Sequence, residues 1–108
     1  MSQKFEVVWS ITAERDLLSI VEYIAQDSPS TALKILKSIK TKAKELYQNP
    51  LRGRIIPELH SQGINHYREL IIKPWRVMYK VAEKKIYVLS VIDSRQNVED
   101  ILLKRLTK

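Results

Sequence analysis

The sequence predicts an α+β fold of two layers, in which a helical hairpin packs on an antiparallel sheet. Two consecutive segments in the first half carry apolar residues at helical spacing, and three strand-like segments in the second half are joined by short turns. The chain has 108 residues, of which 44% are apolar and 29% charged. This balance is typical of one folded domain, here over residues 1–108, and leaves no room for a second.

The first strand and the first helix are predicted from composition and spacing. Residues 4–9, KFEVVW, are rich in β-branched and aromatic side chains, which favour a strand. Residues 12–26 are predicted to form an amphipathic helix, and Ser10 or Thr12 is expected to cap it. Its apolar positions recur at helical intervals at Ala13, Leu17, Ile20, Val21 and Ile24.

A second helix is predicted to begin at DSPS. Ser28 can accept hydrogen bonds from free backbone N–H groups, and Pro29 suits the first helical position. The apolar stripe of this helix consists of Ala32, Ile35, Ile39, Ala43 and Leu46. Two helices joined by so tight a turn form a hairpin.

Three strands and a short C-terminal helix are predicted in the second half. YRELIIK, WRVMYKV and KIYVLSVI are strand-like, with turns at Lys73-Pro74 and at residues 83–85. Apolar residues return to near-helical spacing from residue 96 onward. The expected order is therefore β-α-α-β-β-β followed by the short helix, with the helical hairpin on one face of the sheet. Trp9 and Trp75 are expected to be core residues.

The positive charge is concentrated in the middle of the chain. The net charge is +7, and residues 34–54 carry seven basic side chains against one acidic side chain. On the second helix the lysines lie roughly opposite the apolar stripe, at Lys34, Lys37, Lys40 and Lys44. This face is either a solvated helix surface or a binding surface for a polyanion or an acidic protein.

Several functional classes are excluded or disfavoured by what the sequence lacks. The chain has no cysteine, so disulfides, a thiolate nucleophile and a zinc–thiolate site are excluded. His60 and His66 lie near Glu58, but their spacing matches no known ligand set, and we expect neither a metal nor another cofactor. The sequence has no targeting pattern and no apolar run of membrane-spanning length. We expect a cytoplasmic protein with no membrane partner.

The stretch LRGRIIPEL, residues 51–59, is the main candidate for a functional loop. It carries Arg52, Arg54 and Glu58 close together. Strand alternation in WRVMYKV directs Arg76 to the less covered face of the sheet, and Arg68 lies on the preceding strand. We expect the arginines to form a cationic hollow with one embedded acid, which would suit a phosphodiester.

The order of these segments resembles a known family. VVWS, AERDLLSIVEYIA, DSPSTA, NPLRGRIIPEL, YREL, WRVMYKV and VLSVIDSRQNVEDILL follow one another as in the RelE/ParE toxins of bacterial type II toxin–antitoxin systems. The resemblance spans nearly the whole chain. It implies a growth inhibitor, of the kind linked to plasmid stabilisation, with a cognate antitoxin protein as partner and room for higher-order toxin–antitoxin assembly.

The family resemblance implies two alternative activities. One branch cleaves messenger RNA on the ribosome; by that resemblance Glu58 is the acid–base carboxylate and Arg76 the phosphate-binding arginine, while Arg54 and Arg68 add charge. Several nuclease members carry histidine or tyrosine at the end of the last strand, where this chain has Asp93 and Arg95. An aspartate that is solvated has no proton to donate at neutral pH. Glu58 could instead pair with Arg54 or Arg68 simply to fix the loop.

The other branch, which is ParE-like, poisons DNA gyrase. The segment DSRQN followed by EDILLKRL looks like the arginine-rich end of such chains, which favours this activity. The candidates for phosphate or target binding are then Arg52, Arg54, Arg68 and Arg95. Two alternatives stay open, a ribosome-dependent endoribonuclease and a catalytically silent binding module of the same fold. Whether the chain is an enzyme is therefore undecided at this point.

Overall fold

The computed structural model describes residues 5–106, so residue 4 of the predicted first strand and residues 107–108 lie outside the described part. Within residues 5–106, every helix is too short or too polar to span a lipid bilayer. A 3₁₀ turn at Glu45–Tyr47 extends the second helix. The other elements, in chain order, are β1 (Glu6–Trp9), α1 (Ile11–Ala25), α2 (Pro29–Lys44), β2 (Arg54–Ile55), α3 (Pro57–His60), β3 (Arg68–Ile72), β4 (Trp75–Ala82), β5 (Lys85–Asp93) and α4 (Val98–Leu106).

The helical hairpin forms where the sequence predicts it. Ser10, rather than Thr12, caps α1, because its hydroxyl accepts a hydrogen bond from the Ala13 N–H at 3.0 Å. Ser28 caps α2 in the same way, accepting from the Thr31 N–H at 3.3 Å. Both caps satisfy backbone donors that have no partner inside the helix. The chain turn between the helices is closed by the N–H groups of Asp27 and Ser28, which donate to the Ile24 carbonyl at 3.1 and 3.0 Å.

The sheet has five strands in the order β1-β5-β4-β3-β2. The predicted β3 and β5 each pair antiparallel with β4, whereas β1 pairs in parallel with β5. The sheet is therefore mixed, because the hairpin carries the chain across the sheet between β1 and the later strands. The two short elements β2 and α3 lie in the segment expected to be only a loop.

The two faces of the sheet have separate apolar cores. The hairpin face is filled by Ala13, Leu17, Ile39, Ala43, Val77, Val88 and Val91. The opposite face, called here the α3/α4 face, is partly covered by those two helices and is filled by Ile56, Leu59, Met78, Ile92, Val98 and Leu102. An irregularity in the β4–β5 pairing leaves Leu89 without a direct partner and shifts the register between Met78 and Tyr79. Because α3 and α4 cover only part of the α3/α4 face, a cleft remains open on it.

Tyr79 fixes the start of the candidate loop from inside the protein. Its side chain is fully buried, and its hydroxyl donates to the Pro50 carbonyl and accepts from the Gly53 N–H, each at 2.8 Å. A side chain at Gly53 would not fit, because a Cβ there would lie 2.6 Å from the Glu69 carbonyl oxygen. Burial raises the pKa of the Tyr79 hydroxyl. The loop is thus attached to β4 by a neutral phenol.

We expect Tyr79→Phe to lower the free energy of unfolding by about 1–3 kcal/mol, because a buried N–H and a carbonyl lose their partner. Urea denaturation at neutral pH measures this change. The matched control is Tyr87→Phe on β5, where the ring is half-buried and lies under the Lys80 ammonium. Equal unfolding midpoints for the two variants would contradict the assigned role of Tyr79.

The difference in stability between wild type and Tyr79→Phe is expected to depend on pH. Burial holds the pKa of Tyr79 above its ordinary value of 10.0, so the folded state keeps the proton where the unfolded chain loses it. The stability contributed by this hydroxyl is therefore complete below pH 10.0 and is lost as the pH rises above it. Wild type and Tyr79→Phe are expected to converge in alkali.

Candidate functional site

Strand alternation and pairing decide which candidate residues meet. Arg54 on β2 lies opposite Glu69 on β3, and Ile71 lies opposite Arg76 on β4. Because alternate residues of a strand share a face, Glu69 and Arg76 both point to the α3/α4 face. Pro57 begins α3 and places Glu58 in its first turn, above Arg76. Four elements thus contribute one charged side chain each.

Arg76 is held between two carboxylates. Its Nε donates to Glu69 Oε1 at 2.7 Å and its Nη2 to Glu69 Oε2 at 3.0 Å. Its Nη1 donates to Glu58 Oε2 at 2.7 Å and its Nη2 to Glu58 Oε1 at 2.6 Å. A guanidinium has five N–H groups, so these bonds occupy nearly its full donor capacity.

A fourth residue completes the arrangement, called here the Arg76 network. Arg54 Nε donates to Glu69 Oε2 at 2.7 Å. The exposed fraction of the side chain is 0% for Glu69, 8% for Arg76, 27% for Glu58 and 57% for Arg54. Two arginines and two glutamates therefore cancel in charge, with the central pair out of contact with solvent.

The network also sets the protonation of its members. The hydrogen bonds from Arg76 hold the pKa of the Glu58 carboxyl below its usual value of 4.5, although burial acts in the opposite direction. The pKa of the Arg76 guanidinium is raised, chiefly by its hydrogen bonds to Glu58. Both groups are therefore charged across the physiological range, and each stabilises the charge of the other.

Arg68 does not join this network, which corrects the expectation that it lines one hollow together with Arg54 and Arg76. It lies opposite Tyr79 in the sheet, on the hairpin face shared with Leu70. Its Nη1 donates to the Gly53 carbonyl at 2.8 Å and to the Leu51 carbonyl at 3.4 Å. Arg68 thus supports the loop backbone from the other side of the sheet, because alternation separates it from Glu69 and Arg76.

The remaining two candidates, Arg52 and Arg95, are exposed and are not hydrogen-bonded to the network, although Arg52 lines a hollow together with Arg54 and Glu69. Arg52 pairs with Glu45 at 3.3 Å. Arg95 pairs with Asp93 at 2.6 Å while 76% of its side chain stays exposed. The side-chain hydrogen bonds from Arg95 lower the pKa of Asp93 to about 2. Asp93 is therefore ionised at neutral pH and carries no proton for a leaving group.

Glu69 is the functional residue that sequence reasoning missed. The sequence interpretation paired Glu58 with Arg54 or Arg68, whereas in the structure Glu58 binds Arg76 and Glu69 binds both Arg76 and Arg54. A signal was present, since a carboxylate inside the strand RELII must either face water or find a cation. In the observed register Glu69 is the diagonal neighbour of Arg76, a position from which long side chains meet.

Within residues 5–106, no group of three or more histidine, aspartate or glutamate side chains is placed to hold a metal ion. The Nδ1 atom of His60 instead hydrogen-bonds the side-chain oxygen of Asn65 in the loop after α3. His66 stacks at a tilt against the ring of Tyr67. The two histidines therefore have structural contacts of their own.

An apolar cleft opens beside the network on the α3/α4 face. Its volume is about 440 Å³, and its apolar lining consists of Ile56, Leu59, Met78, Leu89, Leu102 and Leu106. Arg105 lies at its polar end, where it donates to Ser90 at 2.8 Å and pairs with Asp16 at 2.8 Å. This ion pair attaches α4 to α1, so the helix forms one wall of the cleft.

Comparison with known proteins identifies the family. The family described as ParE toxin of type II toxin-antitoxin system, parDE, matches residues 7–98. The match covers every element from β1 to the start of α4. The chain therefore belongs to the ParE toxin family, within the wider group of RelE and ParE toxins.

Individual relatives carry both the RelE and the ParE names. Toxin RelE2 of Caulobacter vibrioides is 32% identical over 87 residues, which cover 80% of this chain and 91% of the relative. A solved chromosomal ParDE toxin–antitoxin system from P. aeruginosa is similar with a TM-score of 0.69 and 25% identity, over 85% of this chain and 98% of that one. The RelBE2 toxin–antitoxin complex of Mycobacterium tuberculosis has a TM-score of 0.60 at 20% identity, over 86% and 94%. This last likeness supports the fold alone.

We expect Glu69→Gln to lower the free energy of unfolding by about 3–5 kcal/mol, because it leaves a buried guanidinium partly uncompensated. Glu58→Gln is expected to cost about 1–2 kcal/mol, since Arg76 keeps Glu69 and the lost bonds are partly exposed. Chemical denaturation of both variants, with the exposed control Glu99→Gln, measures the order of these stability losses. A larger loss for Glu58→Gln than for Glu69→Gln would contradict this account of the network.

The contribution of Glu58 is also expected to depend on pH. Its folded-state pKa lies below the ordinary value of 4.5, so its stabilisation is complete above that pH and is lost as the pH falls through the lowered pKa. Wild type and Glu58→Gln should therefore converge in stability in acid. A difference that stays constant down to the acid unfolding transition would show that the carboxylate charge is not what Arg76 recognises.

Proposed function

We propose that this toxin inhibits growth in the cytoplasm by binding and poisoning DNA gyrase, and not by cutting messenger RNA. The observation that carries the proposal is the saturation of Arg76 by Glu58 and Glu69. A phosphate-binding arginine must offer free N–H groups to its ligand. Here four hydrogen bonds inside the protein already use nearly all of the five N–H groups.

Metal-free RNA cleavage needs a base for the 2′-hydroxyl, a cation for the phosphate and an acid for the leaving oxygen. Glu58 is a poor base, because its pKa is lowered and both carboxylate oxygens accept hydrogen bonds from Arg76. Arg76 is nearly inaccessible, with 8% of its side chain exposed. Asp93 is a poor acid, since its pKa is about 2. The geometry thus supports none of the three catalytic roles.

Exposed cations around the sheet supply the contacts for a protein target. Arg95 follows the end of β5, just before α4, and Arg52 and Arg54 lie at the β2 edge of the sheet. An arginine at an interface can carry a large share of the binding energy. Arg95 is the first candidate, because it is the most exposed of the three and adjoins the C-terminal helix.

A cognate antitoxin is the second partner in this proposal. The family is described as the toxin of a type II toxin-antitoxin system, and the similar structure from P. aeruginosa is a ParDE toxin–antitoxin system, which supports such a partner here. The apolar cleft on the α3/α4 face suits the apolar side of a short amphipathic segment. Lys80 and Arg105 at its edge favour acidic residues in that segment.

The decisive experiment compares gyrase and messenger RNA directly. We expect the purified toxin to inhibit DNA supercoiling by gyrase, while transcripts in growth-arrested cells stay uncut. Normal supercoiling in excess toxin, together with transcripts cut inside codons, would reject the proposal and favour the endoribonuclease. Growth unaffected by expression would favour a silent binding module.

The role of Arg95 has a matched control. Arg95→Ala is expected to raise the toxin concentration needed for half-inhibition of gyrase by about tenfold, because an exposed contact residue is lost. Arg15→Ala removes an exposed arginine from α1, away from the end of β5, and is expected to leave inhibition unchanged. Circular dichroism checks that both variants fold. Equal inhibition by the two would show that the target is bound elsewhere.

A further inference from the structure

A second surface, at the β1 edge of the sheet, combines aromatic rings with cations. A hollow of about 410 Å³ lies between β1 and α2, lined by Phe5, Val7, Trp9, Lys40, Lys44 and Tyr47. It is separate from the Arg76 network and from the apolar cleft, neither of which shares a lining residue with it. The proposed gyrase activity makes no use of it.

Trp9 is only half-buried, which differs from the expectation of a simple core residue. One part of the ring packs against the core of the hairpin face. The Lys40 ammonium lies over the ring at 4.1 Å from its centroid, in cation–π contact. An indole face covered by a mobile lysine, and not by apolar packing, can be uncovered without disturbing the core.

The lysines of α2 extend this surface along one flank of the helix. Lys37, Lys40 and Lys44 are spaced three and four residues apart, so they lie within about 60° of one another around the helix axis. Lys40 has a weak, exposed pair with Glu14 at 4.0 Å. In the described range 5–106, Lys37 and Lys44 form no ion pair. Their charges are therefore available to an external anion.

We propose that this surface binds single-stranded nucleic acid, with a base stacked on Trp9 and adjacent phosphates on Lys40 and Lys44. Aromatic faces beside a cationic groove are the features by which proteins hold single strands, because each nucleotide offers both a π-face and a charge. An acidic peptide would use the ammonium groups but would gain little from three aromatic rings. The combination therefore favours a nucleic acid over an acidic protein.

Binding on this surface requires one local exchange. The Lys40 ammonium leaves the Trp9 ring for a phosphate oxygen, and a base takes its place on the indole. Lys44 and Lys37 then follow the strand along the helix flank. Because the indole environment of Trp9 changes, the tryptophan fluorescence of the protein is expected to change on binding. Trp75 also contributes to this signal, so loss of the change in Trp9→Leu assigns it to Trp9.

The test uses the full chain with a dT12 and an rU12 oligonucleotide, measured by fluorescence anisotropy and by tryptophan quenching. We expect salt-dependent binding, and Lys40→Ala/Lys44→Ala is expected to weaken it by at least about tenfold and to reduce the salt slope by about 1.4. The matched control is Lys34→Ala/Lys42→Ala, which removes the same charge from α2 at two lysines that do not line the hollow. The control should retain most of the affinity. Equal losses in both double variants would overturn the proposal.

Stacking is tested separately from charge. Trp9→Leu should weaken binding by about fivefold or more without changing the salt slope, because stacking releases no counterions. If Trp9→Leu unfolds, Tyr47→Leu serves the same purpose on the rim of the hollow. Unaltered affinity in the folded variant would reject the stacking role.

Two further comparisons define the ligand. Preference for dT12 or rU12 distinguishes DNA from RNA as the source of the strand. A poly-glutamate peptide that binds as tightly as the oligonucleotides would overturn the proposal in favour of an acidic protein. Inhibition of gyrase by the Lys40→Ala/Lys44→Ala variant is assayed in parallel. If this variant still inhibits gyrase, its loss of oligonucleotide binding is independent of the proposed function.

Discussion

The two-sided clamp on Arg76 is the interaction on which the rest of this structure depends. Glu69 holds the guanidinium from the sheet and Glu58 holds it from α3, so one side chain joins β4, β3 and the loop region. Removing such charges from water is costly, and the arrangement is stable because nearly every donor is satisfied. Breaking one pair would leave a charge in a site that water hardly reaches.

This clamp distinguishes Arg76 from the other candidate arginines. The same fold can support different activities, so the activity must be argued from the side chains. Arg76 is neutralised from both sides and nearly buried, whereas Arg52, Arg54 and Arg95 are exposed. The family match identifies a type II toxin, and the clamp is the feature on which the proposed choice of target depends.

Most of the fold could be predicted from periodicity, and the centre of the site could not. The stripes of α1 and α2 and the alternation in β4 and β5 are long enough to be read from sequence. The elements β2 and α3 have two and four residues, too few for any periodic pattern. The exclusion of Arg68 needed only the alternation in RELII, because Arg68 shares its face with the apolar Leu70. The capture of Arg76 by Glu69 depended on register across two strands, which a single sequence does not specify.

The parallel pairing of β1 with β5 has a consequence for the order of events during synthesis. Glu6 pairs with Lys85, so the first strand has no neighbour until nearly the whole chain exists. Domains are completed as the chain is made, from the N-terminus onward, at some 5–20 residues per second. β1 therefore stays without a strand neighbour until β5 has been made and lies between β1 and β4. The last strand in the chain thus takes an interior position and completes the sheet.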